Sequence, residues 1–369
     1  MQIKNVIKVV VLVTLTTQLF AADFVENLER LMGKNAEAYA MPAIQGFSSS
    51  MNAGLYKKAS VSAGKLIPFG FDIGVMGVAT VIPDDKTTFE HNLTDFTFDF
   101  HLTSEGEELE NITLSFADIY NTSADVTPNI AGEDDGVRCT LKSEDEIFQN
   151  VAAKLQDAGV SQQTIDTKED DIRSYIDETM DEDYSTFSFP KGLGVKTLGA
   201  LSLQANVRLP LVGLEVTGRY LPEFQLSDDL GKVNLYGIGV RKSLPVPVVD
   251  VTAGLFLQKL KVGDYFDLDT RMIHAEVGKS IGIPFLFNFS PYAGIGFSQT
   301  EVNLDYTMAG GTVPGIDNDK ELNYSITPDD QFILTAGMTA QIVPLTYLNL
   351  EVNQSDYLTA VLKFGLILK

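Results

Sequence analysis

The sequence has one cysteine and no tryptophan. Cys139 is the single thiol among 369 residues, which excludes an internal disulfide framework and any zinc site built from cysteines. An aromatic belt would therefore have to come from the 13 tyrosines and 22 phenylalanines. After the first residues, no stretch approaches about 18 consecutive apolar residues, so we expect no membrane-spanning helix there.

Basic residues are scarce as well. The chain carries 27 Lys and Arg against 50 Asp and Glu, a net charge of −23. Because a nucleic-acid partner requires a basic surface, we expect none. The acid is concentrated between Glu133 and Tyr184, in "GEDDG", "SEDE", "DTKEDD" and "DETMDED".

This acidic stretch has two interpretations. The simpler one is a solvated loop, and the more specific one is a binding site for divalent cations. No glycine stands where a helix-loop-helix calcium site needs its sharp turn. We therefore expect no cofactor.

The first 22 residues resemble a secretory signal peptide. Lys4 and Lys8 precede an apolar run from Val9, and the small residues of "LFAA" follow. Cleavage is expected after Ala21 or Ala22, and a buried N-terminal strand is the alternative. The next segment, residues 23–53, has apolar residues at helical spacing, and we expect Met41-Pro42 to end any helix that begins there.

Most of the remaining sequence alternates between apolar and polar residues, as in "LSLQANVRLPLVGLEVTGRY" at 201–220. Such alternation predicts β-strands with one apolar face. We assign residues 54–120 to the first strands and residues 191–369 to the remaining ones. Between them, residues 121–190 form an acidic insertion, too long for an ordinary connection, with helices predicted around 146–158 and 164–180.

The apolar faces could pack inside a soluble sandwich or could meet lipid. Many apolar stretches run for about nine to eleven residues, the length that a tilted strand needs to cross a bilayer. The opposite faces mix glycine with charges of both signs, which suits a polar lumen. The last strand reaches the C-terminus, where it could close a ring and leave no edge. The expected fold is all-β, an antiparallel transmembrane β-barrel of about 12–14 strands in the bacterial outer membrane.

In such a barrel the polar face of each strand lines the interior. The residues expected to face the lumen, and to line any permeation path, are Gln204, Asn206, Arg208, Glu215, Thr217, Arg219, Arg241, His274, Glu276 and Lys363. The N-terminal segment is a candidate plug, with a periplasmic cap or a disordered leader as the alternative. Its apolar residues are Phe24, Leu28, Leu31, Ile44 and Phe47. Six tyrosines are candidates for aromatic girdles at the membrane surfaces: Tyr220, Tyr236, Tyr292, Tyr306, Tyr347 and Tyr357.

Catalytic chemistry has little support in the sequence. His274 lies beside Glu276 on a polar face, and a position in the lumen explains it better than a role as general base. The sequence contains neither a nucleophile elbow nor a helical HExxH zinc motif. We therefore expect no enzymatic activity.

Several stretches carry a resemblance to a known family. The segments "AEAYAMPAIQGFSSSMNAGLYKKA", "FGFDIGV", "LEVTGRYLP", "LYGIGVRKSL" and "SPYAGIGFS" resemble an uncharacterised family of bacterial outer-membrane β-barrel proteins. The resemblance covers most of the chain outside the acidic insertion and implies the barrel without implying a cargo. More distantly, the N-terminal segment with Pro42-Ala43 and Asn52-Ala53-Gly54 is similar to the long-chain fatty-acid transporter family, in which such a segment plugs the lumen.

Three functions follow as alternatives. The first is a channel or transporter for small molecules, hydrophobic ones if the N-terminal segment is a plug. The second is a structural or partner-docking barrel without transport, which a filled lumen and an ordered insertion would mark. The third, an outer-membrane enzyme, has the least support. The expected partners are outer-membrane lipid, the barrel assembly machinery and a small hydrophobic ligand.

Overall fold

The computed structural model describes residues 31, 33–55, 70–104, 107–180, 186–209, 213–227, 231–244, 246–283, 287–308, 310, 318–341 and 345–368. The expected signal peptide, together with Phe24 and Leu28 of the plug candidate, lies outside these residues. None of the helices in the described ranges is both long and apolar enough to span a membrane.

Within the described residues, one helix precedes the barrel strands. Helix α1 spans Gly33–Asn52, and 13 of its 20 residues are buried. Pro42 lies inside this helix, so the expectation that Met41-Pro42 ends it is wrong. A proline costs a free helix about 3 kcal/mol because it lacks an N–H donor. Here the surrounding protein encloses the helix on most sides, and these contacts oppose that cost.

The first barrel strand, β1, spans Gly70–Val81, and a separate unit follows it. Residues 82–196, here called the insertion domain, contain three small sheets that are distinct from the barrel sheet: β2 with β6, β3 with β4, and β5 with β7 and β8. These strands span Thr88–Glu90, Thr97–Ser104, Glu107–Ser115, Tyr120–Thr122, Val126–Pro128, Arg138–Leu141 and Thr186–Ser188 for β2 to β8. Short 3-10 turns lie at Asp84–Lys86 and Leu93–Asp95.

Four helices complete the described part of the insertion domain. They are α2 (Phe116–Ile119), α3 (Glu144–Asp157), α4 (Gln162–Thr167) and α5 (Glu169–Thr179). Helix α3 begins with a capping box, in which Ser143 and Glu146 satisfy each other's backbone N–H groups. The helices expected around 146–158 and 164–180 are therefore present, although a break at Lys168 divides the second into α4 and α5.

The insertion domain is larger than the expected 121–190, and residues 54–120 contribute one barrel strand instead of several. The alternation in β3 and β4 resembled that of barrel strands. In the insertion domain, Ile112 and Leu114 of β4 are instead buried in an apolar cluster with Phe96, which lies just before β3. Alternation reports that one face is buried, without reporting what buries it.

The remaining strands follow in chain order. They are β9 (Thr197–Leu209), β10 (Leu214–Ser227), β11 (Gly231–Leu244), β12 (Asp250–Val262), β13 (Phe266–Gly278), β14 (Ile281–Ile283), β15 (Phe287–Met308), β16 (Lys320–Ile326), β17 (Gln331–Gln341), β18 (Thr346–Gln354) and β19 (Leu358–Leu368).

Ten of the strands form a closed antiparallel ring. Its order is β1, β9, β10, β11, β12, β13, β15, β17, β18 and β19, and β19 pairs again with β1 from Phe71–Leu368 to Val81–Leu358. Strands β14 and β16 extend the sheet at the two ends of β15, which gives twelve strands in all. The expected 12–14 strands thus match the sheet and exceed the ring, because neighbouring hairpins outside the ring look alike in sequence.

The two ends of the barrel differ. Strand β1 begins and β19 ends at the same end, here called the terminal end. The insertion domain joins β1 to β9 at the opposite end, here called the insertion end. Near the insertion end, β12, β13 and β15 present charged residues outward, including Lys259, Asp269 and Glu301.

The outer surface of the ring carries an apolar band. Outward residues such as Ile238, Ile273 and Phe364 are 61%, 63% and 58% exposed. Inward residues on the same strands are buried, and they include the polar Arg241, His274 and Lys363. This distribution is the reverse of a soluble protein's, in which the buried side is the apolar one.

Of the six tyrosines expected in aromatic girdles, two are exposed on the outer surface of the barrel and four are buried. Tyr220 and Tyr236 face outward and are more than half exposed. The other four are buried: Tyr292, Tyr306, Tyr347 and Tyr357. The girdle assignment is wrong for these four, because strand register places the first three on the inward side and Tyr357 packs in the apolar cluster at the insertion end.

Candidate functional site: the occupied lumen

The ten residues expected to face the lumen all do so. Nine of them have relative exposures of 4% or less, and the tenth, Arg208, is partly exposed with an 18% exposed side chain. Their role in a permeation path stays a prediction. The interior of the ring contains two further features, a set of paired charges nearer the terminal end and helix α1 nearer the insertion end.

The paired charges form a ladder of alternating sign across the interior. Arg208 lies between Asp72 and Glu215, and its Nε donates to Glu215 Oε2 at 2.8 Å. Arg241 lies between Glu215 and Glu276, with its Nη1 2.5 Å from Glu276 Oε1. These five residues, here called the charge ladder, come from β1, β9, β10, β11 and β13. Each arginine bridges two carboxylates, so every charge of the ladder has a partner of opposite sign where water is excluded, and one formal negative charge is left over.

A glycine lets the charge ladder cross a strand. Arg241 is on β11 and Glu276 on β13, and Gly254 of β12 lies between them. A Cβ at Gly254 would come within 2.8 Å of Arg241 Cγ and 2.4 Å of His274 Nε2. The absent side chain therefore provides the space in which Arg241 reaches across β12.

Helix α1 lies in the half of the lumen nearer the insertion end and is here called the plug helix. An eight-stranded barrel has an interior that its own side chains fill, and a ten-stranded ring is wider. On one side of the helix, Ala40, Ile44 and Met51 pack against apolar inward residues of the wall. The wall residues in this contact are Val233, Leu235, Leu260, Val262, Phe266, Leu268, Val302, Leu304 and Ile326.

Serines in the C-terminal half of the plug helix also bind the wall through hydrogen bonds. Ser48 Oγ lies 2.6 Å from Thr300 Oγ1 on β15, and Ser50 Oγ lies 2.7 Å from Thr80 Oγ1 on β1. Ser49 donates to the side-chain oxygen of Gln331 on β17 at 3.3 Å. Ser48 lies beside the apolar contact, whereas Ser49 and Ser50 hold the helix to β17 and β1, strands that contribute no residue to that contact.

Basic side chains of the barrel wall hold the C-terminal end of the plug helix. Arg219 donates to the carbonyl oxygens of Met51 and Ala53 at 2.5 and 2.8 Å. Lys363 Nζ donates to the carbonyl oxygen of Gly54 at 2.5 Å. The last carbonyls of a helix lack internal partners and carry partial negative charge, so cations stabilise them. We call these contacts the latch.

A carboxylate on the wall completes the latch. Glu351 Oε1 accepts a hydrogen bond from the backbone N–H of Gly54 at 2.7 Å. Its other oxygen accepts one from the Tyr292 hydroxyl at 2.8 Å, and Asn349 donates to that hydroxyl at 2.9 Å. Gly54 therefore has both its N–H and its carbonyl bound by barrel side chains.

The insertion domain covers the N-terminal end of the plug helix. Asn35 and Asn92 form two reciprocal hydrogen bonds, of 2.7 and 2.8 Å, between side chain and backbone. Asp95 accepts from the backbone N–H of Lys34 at 2.6 Å. At the rim of the barrel, the Tyr324 hydroxyl accepts from the backbone N–H of Gly33 at 2.8 Å.

One apolar cluster joins the plug helix, the insertion domain and the barrel rim; we call it the shared cluster. The plug helix contributes Ala36, Tyr39 and Ala43, and Leu31 joins them from ahead of the helix. The rim contributes Leu198, Tyr306, Met308, Leu322 and Tyr357. The insertion domain contributes most of the rest, with stacked and edge-on rings around Phe96, Phe116 and Phe187.

Three of the five predicted plug residues lie in the described part of the chain, and all three are inside the protein. Leu31 and Ile44 have no exposed surface, and Phe47 is partly buried with its ring centroid 6.0 Å from that of Phe266. The prediction missed Asp72 and Glu351, which complete the charge ladder and the latch. Both stand between apolar neighbours in their strands, in "FDI" and "LEV", and this signal could have identified them.

The histidines and the acidic segment show no assembled metal centre in the described ranges. His91 stacks on Phe189 with ring centroids 4.9 Å apart. His274 is buried on the inner wall of the barrel. The single cysteine, Cys139, is buried in the shared cluster, and burial raises the pKa of its thiol to about 12.

Comparison with known proteins identifies a family without a described role. The profile of a family described as "Family of unknown function (DUF6588)" matches residues 2–367, which agrees with the resemblance to an uncharacterised family. No curated protein matches the chain. None of these findings supports the more distant resemblance to the fatty-acid transporters.

Several solved outer-membrane proteins are similar to the chain at low TM-scores. The β domain of the Bordetella autotransporter BrkA has a TM-score of 0.30 at 9% identity, covering 80% of this chain and 98% of that one. OmpT of Vibrio cholerae has a TM-score of 0.24 at 9% identity, with coverages of 81% and 99%. Ail of Yersinia pestis has a TM-score of 0.21 at 8% identity, with coverages of 42% and 96%. The barrel architecture rests on the strand pairings described above.

Proposed function

Because the chain belongs to a family of unknown function, DUF6588, we propose its role from its own geometry. We propose that it is an outer-membrane β-barrel that is closed by its own N-terminal helix and presents the acidic insertion domain to a partner at the outer face. Two steps lead to this proposal: the placement of the barrel in a membrane, and the relation between plug and insertion domain.

The membrane placement follows from the outer surface of the ring. The outward apolar residues form a continuous band, and the backbone groups of the ring pair with neighbouring strands on both sides. A lipid environment requires both properties, because an unpaired N–H or C=O in hydrocarbon costs several kcal/mol. The proposal therefore includes outer-membrane lipid and the barrel assembly machinery as partners.

The orientation follows from the two ends. The connections at the terminal end are short, as at 210–213 and 342–345, whereas the insertion end carries the whole domain of residues 82–196 and the outward charges of β12, β13 and β15. Outer-membrane barrels have short periplasmic turns and longer external loops. The insertion domain then lies outside the cell.

The shared cluster is the observation that carries the docking role. Plug helix and insertion domain bury residues in the same apolar cluster, so the plug cannot leave the lumen without breaking the core of the insertion domain. Large core disruptions cost several kcal/mol. A lumen held shut in this way does not suit continuous passage of solutes.

The charge of the insertion domain indicates the chemistry of its partner. Residues 82–196 contain 27 of the 50 acidic residues and 8 of the 27 basic ones, so most of the net negative charge lies there. A surface of one sign speeds association with a surface of opposite sign, and the effect weakens with salt. We propose a cationic partner that binds by charge complementarity.

Single-channel conductance of the refolded full chain in planar bilayers tests the closed lumen. The intact protein is expected to be silent, and a variant without residues 23–53 is expected to give conductance steps. Gel mobility before and after heating, which differs for folded barrels, verifies that both proteins are folded. Steady steps from the intact protein would overturn the proposal.

Passage of small molecules is the second candidate, and one observation favours it. Much of the plug's C-terminal half is held by hydroxyl pairs and backbone contacts, which can exchange with water more easily than apolar packing can. In this alternative a signal at the insertion domain releases the plug, and small molecules, hydrophobic ones included, then pass.

A reversible disulfide separates the two candidates. Ser50 and Thr80 have their hydroxyl oxygens 2.7 Å apart, so cysteines at both positions should be able to join the plug to β1. If the plug moves, oxidation should slow entry of a chromogenic β-lactam into cells, and reduction should restore it. Equal rates of β-lactam entry with the disulfide oxidised and reduced favour the docking role. The single variant Ser50→Cys is the matched control. We assign no catalytic role to the chain.

A further inference from the structure

The direction of the plug helix has a topological consequence. We propose that the barrel carries its own N-terminal segment to the outer face, so that the start of the plug helix is displayed outside the cell beside the insertion domain. The proposal rests on the membrane placement and orientation given above. It concerns the path of the chain, whereas the docking role concerns the insertion domain.

The plug helix begins at the insertion end. Gly33 contacts Tyr324 on β16, and Lys34 and Asn35 contact Asp95 and Asn92 of the insertion domain. All three contacting residues belong to the part of the molecule beyond the apolar band. Lys34 is exposed there.

The plug helix ends deep inside the barrel. Gly54 is bound by Lys363 and Glu351 on the inner wall, and β1 begins at Gly70 at the terminal end. From its N-terminal to its C-terminal residues, this part of the chain therefore runs from the outer face inward and then to the periplasmic face.

Contacts with opposite parts of the barrel wall fix the direction of the plug helix. Its apolar residues pack against inward residues of β11, β12, β13, β15 and β16. Ser49 and Ser50 bind Gln331 on β17 and Thr80 on β1. The start of the helix is therefore held at the insertion end.

Labelling of cysteines on intact cells tests the direction in which the plug helix runs through the barrel. Three single variants of the full chain are compared: Lys34→Cys at the start of the plug helix, Asp157→Cys on the insertion domain, and Lys279→Cys beyond β13 at the terminal end. All three native residues are exposed. A membrane-impermeant maleimide is applied before and after permeabilisation. The unmodified chain is the background control, because its Cys139 is buried.

The expected result is labelling of Lys34→Cys and Asp157→Cys on intact cells, and of Lys279→Cys only after permeabilisation. If Asp157→Cys is labelled on intact cells while Lys34→Cys requires permeabilisation or denaturation, the displayed N-terminal segment is refuted and the docking role stands. If Lys279→Cys alone is labelled on intact cells, the orientation is inverted and both proposals fail.

Discussion

Gly54 lies two residues after the end of the plug helix at Asn52. Its backbone has a φ of 69°, and a Cβ there would lie 2.1 Å from the sulfur of Met76. Glycine is the residue that adopts this left-handed conformation without a penalty. Backbone and surroundings therefore both require glycine at the latch.

We expect Gly54→Ala to lower the free energy of unfolding by more than the approximately 1–2 kcal/mol of the backbone penalty, because Met76 must also move. The measurement is the temperature at which the folded form disappears in heated gel samples. Gly159→Ala is the matched control, since Gly159 also has a positive φ, of 98°, with nothing within 4 Å of its Cβ position. Equal midpoints for the two variants would mean that crowding at Met76 is unimportant.

Arg241 is the residue on which the charge ladder depends most. It bridges Glu215 and Glu276, and all three are buried. Removing one partner of a buried pair leaves an uncompensated charge, at a cost of about 3–5 kcal/mol. We expect Arg241→Met to lose stability of this order, measured by the urea concentration at half-unfolding of the barrel in vesicles.

The control for Arg241→Met is Arg271→Met, because Arg271 pairs with Glu301 at 3.7 Å with both side chains about 60% exposed. An exposed pair is worth roughly 0–1 kcal/mol, so its loss should be small. If the two variants lose similar stability, the charge ladder contributes no more to the free energy of unfolding than an exposed ion pair does.

At the scale of the strand, the outer face of β9 distinguishes lipid contact from packing in a core. Leu203 is 39% exposed on that face. We expect Leu203→Arg to cost about 2–4 kcal/mol if the site lies near the bilayer midplane, with less folded barrel recovered from vesicles. Gln299→Arg is the control, because Gln299 also faces outward, on the part of β15 beyond the apolar band. Equal recovery of both variants would argue against lipid contact at Leu203.

The strands from β9 onward could be predicted from sequence because each one separates a polar interior from an apolar exterior, and this leaves a period of two in every segment. The same rule placed Arg219 and Lys363 on the inward face. It could not assign partners, because which inward charges meet depends on register between strands and on gaps such as Gly254.

Other elements were mispredicted because their surroundings override local preference. The plug helix continues through Pro42, since a barrel wall encloses it. Strands β3 and β4 have the alternation of barrel strands, but Ile112 and Leu114 of β4 are buried in the insertion domain. The tyrosines beyond Tyr236 turned inward because register, not residue type, decides the face.

At the scale of the whole molecule, barrel, plug and insertion domain share one cluster, so a change in the insertion domain should reach the lumen. Phe187 lies at the centre of that cluster, paired across strands with Cys139 and in contact with the rings of Phe96 and Phe116. Replacing a buried phenylalanine by alanine costs about 3–5 kcal/mol. The insertion domain would then open more often.

We expect Phe187→Ala to produce conductance steps in planar bilayers, although Phe187 lies outside the lumen. The reason is that loosening the shared cluster frees the N-terminal end of the plug helix. Reaction of Cys139 with a thiol reagent reports whether the domain has opened, since burial protects this thiol in the native protein. Val126→Ala, at a residue that is 46% exposed on the same domain, is the control and should change neither signal. A reactive Cys139 without conductance would show that the latch and the hydroxyl pairs hold the plug by themselves, and the shared cluster would then no longer explain the closed lumen.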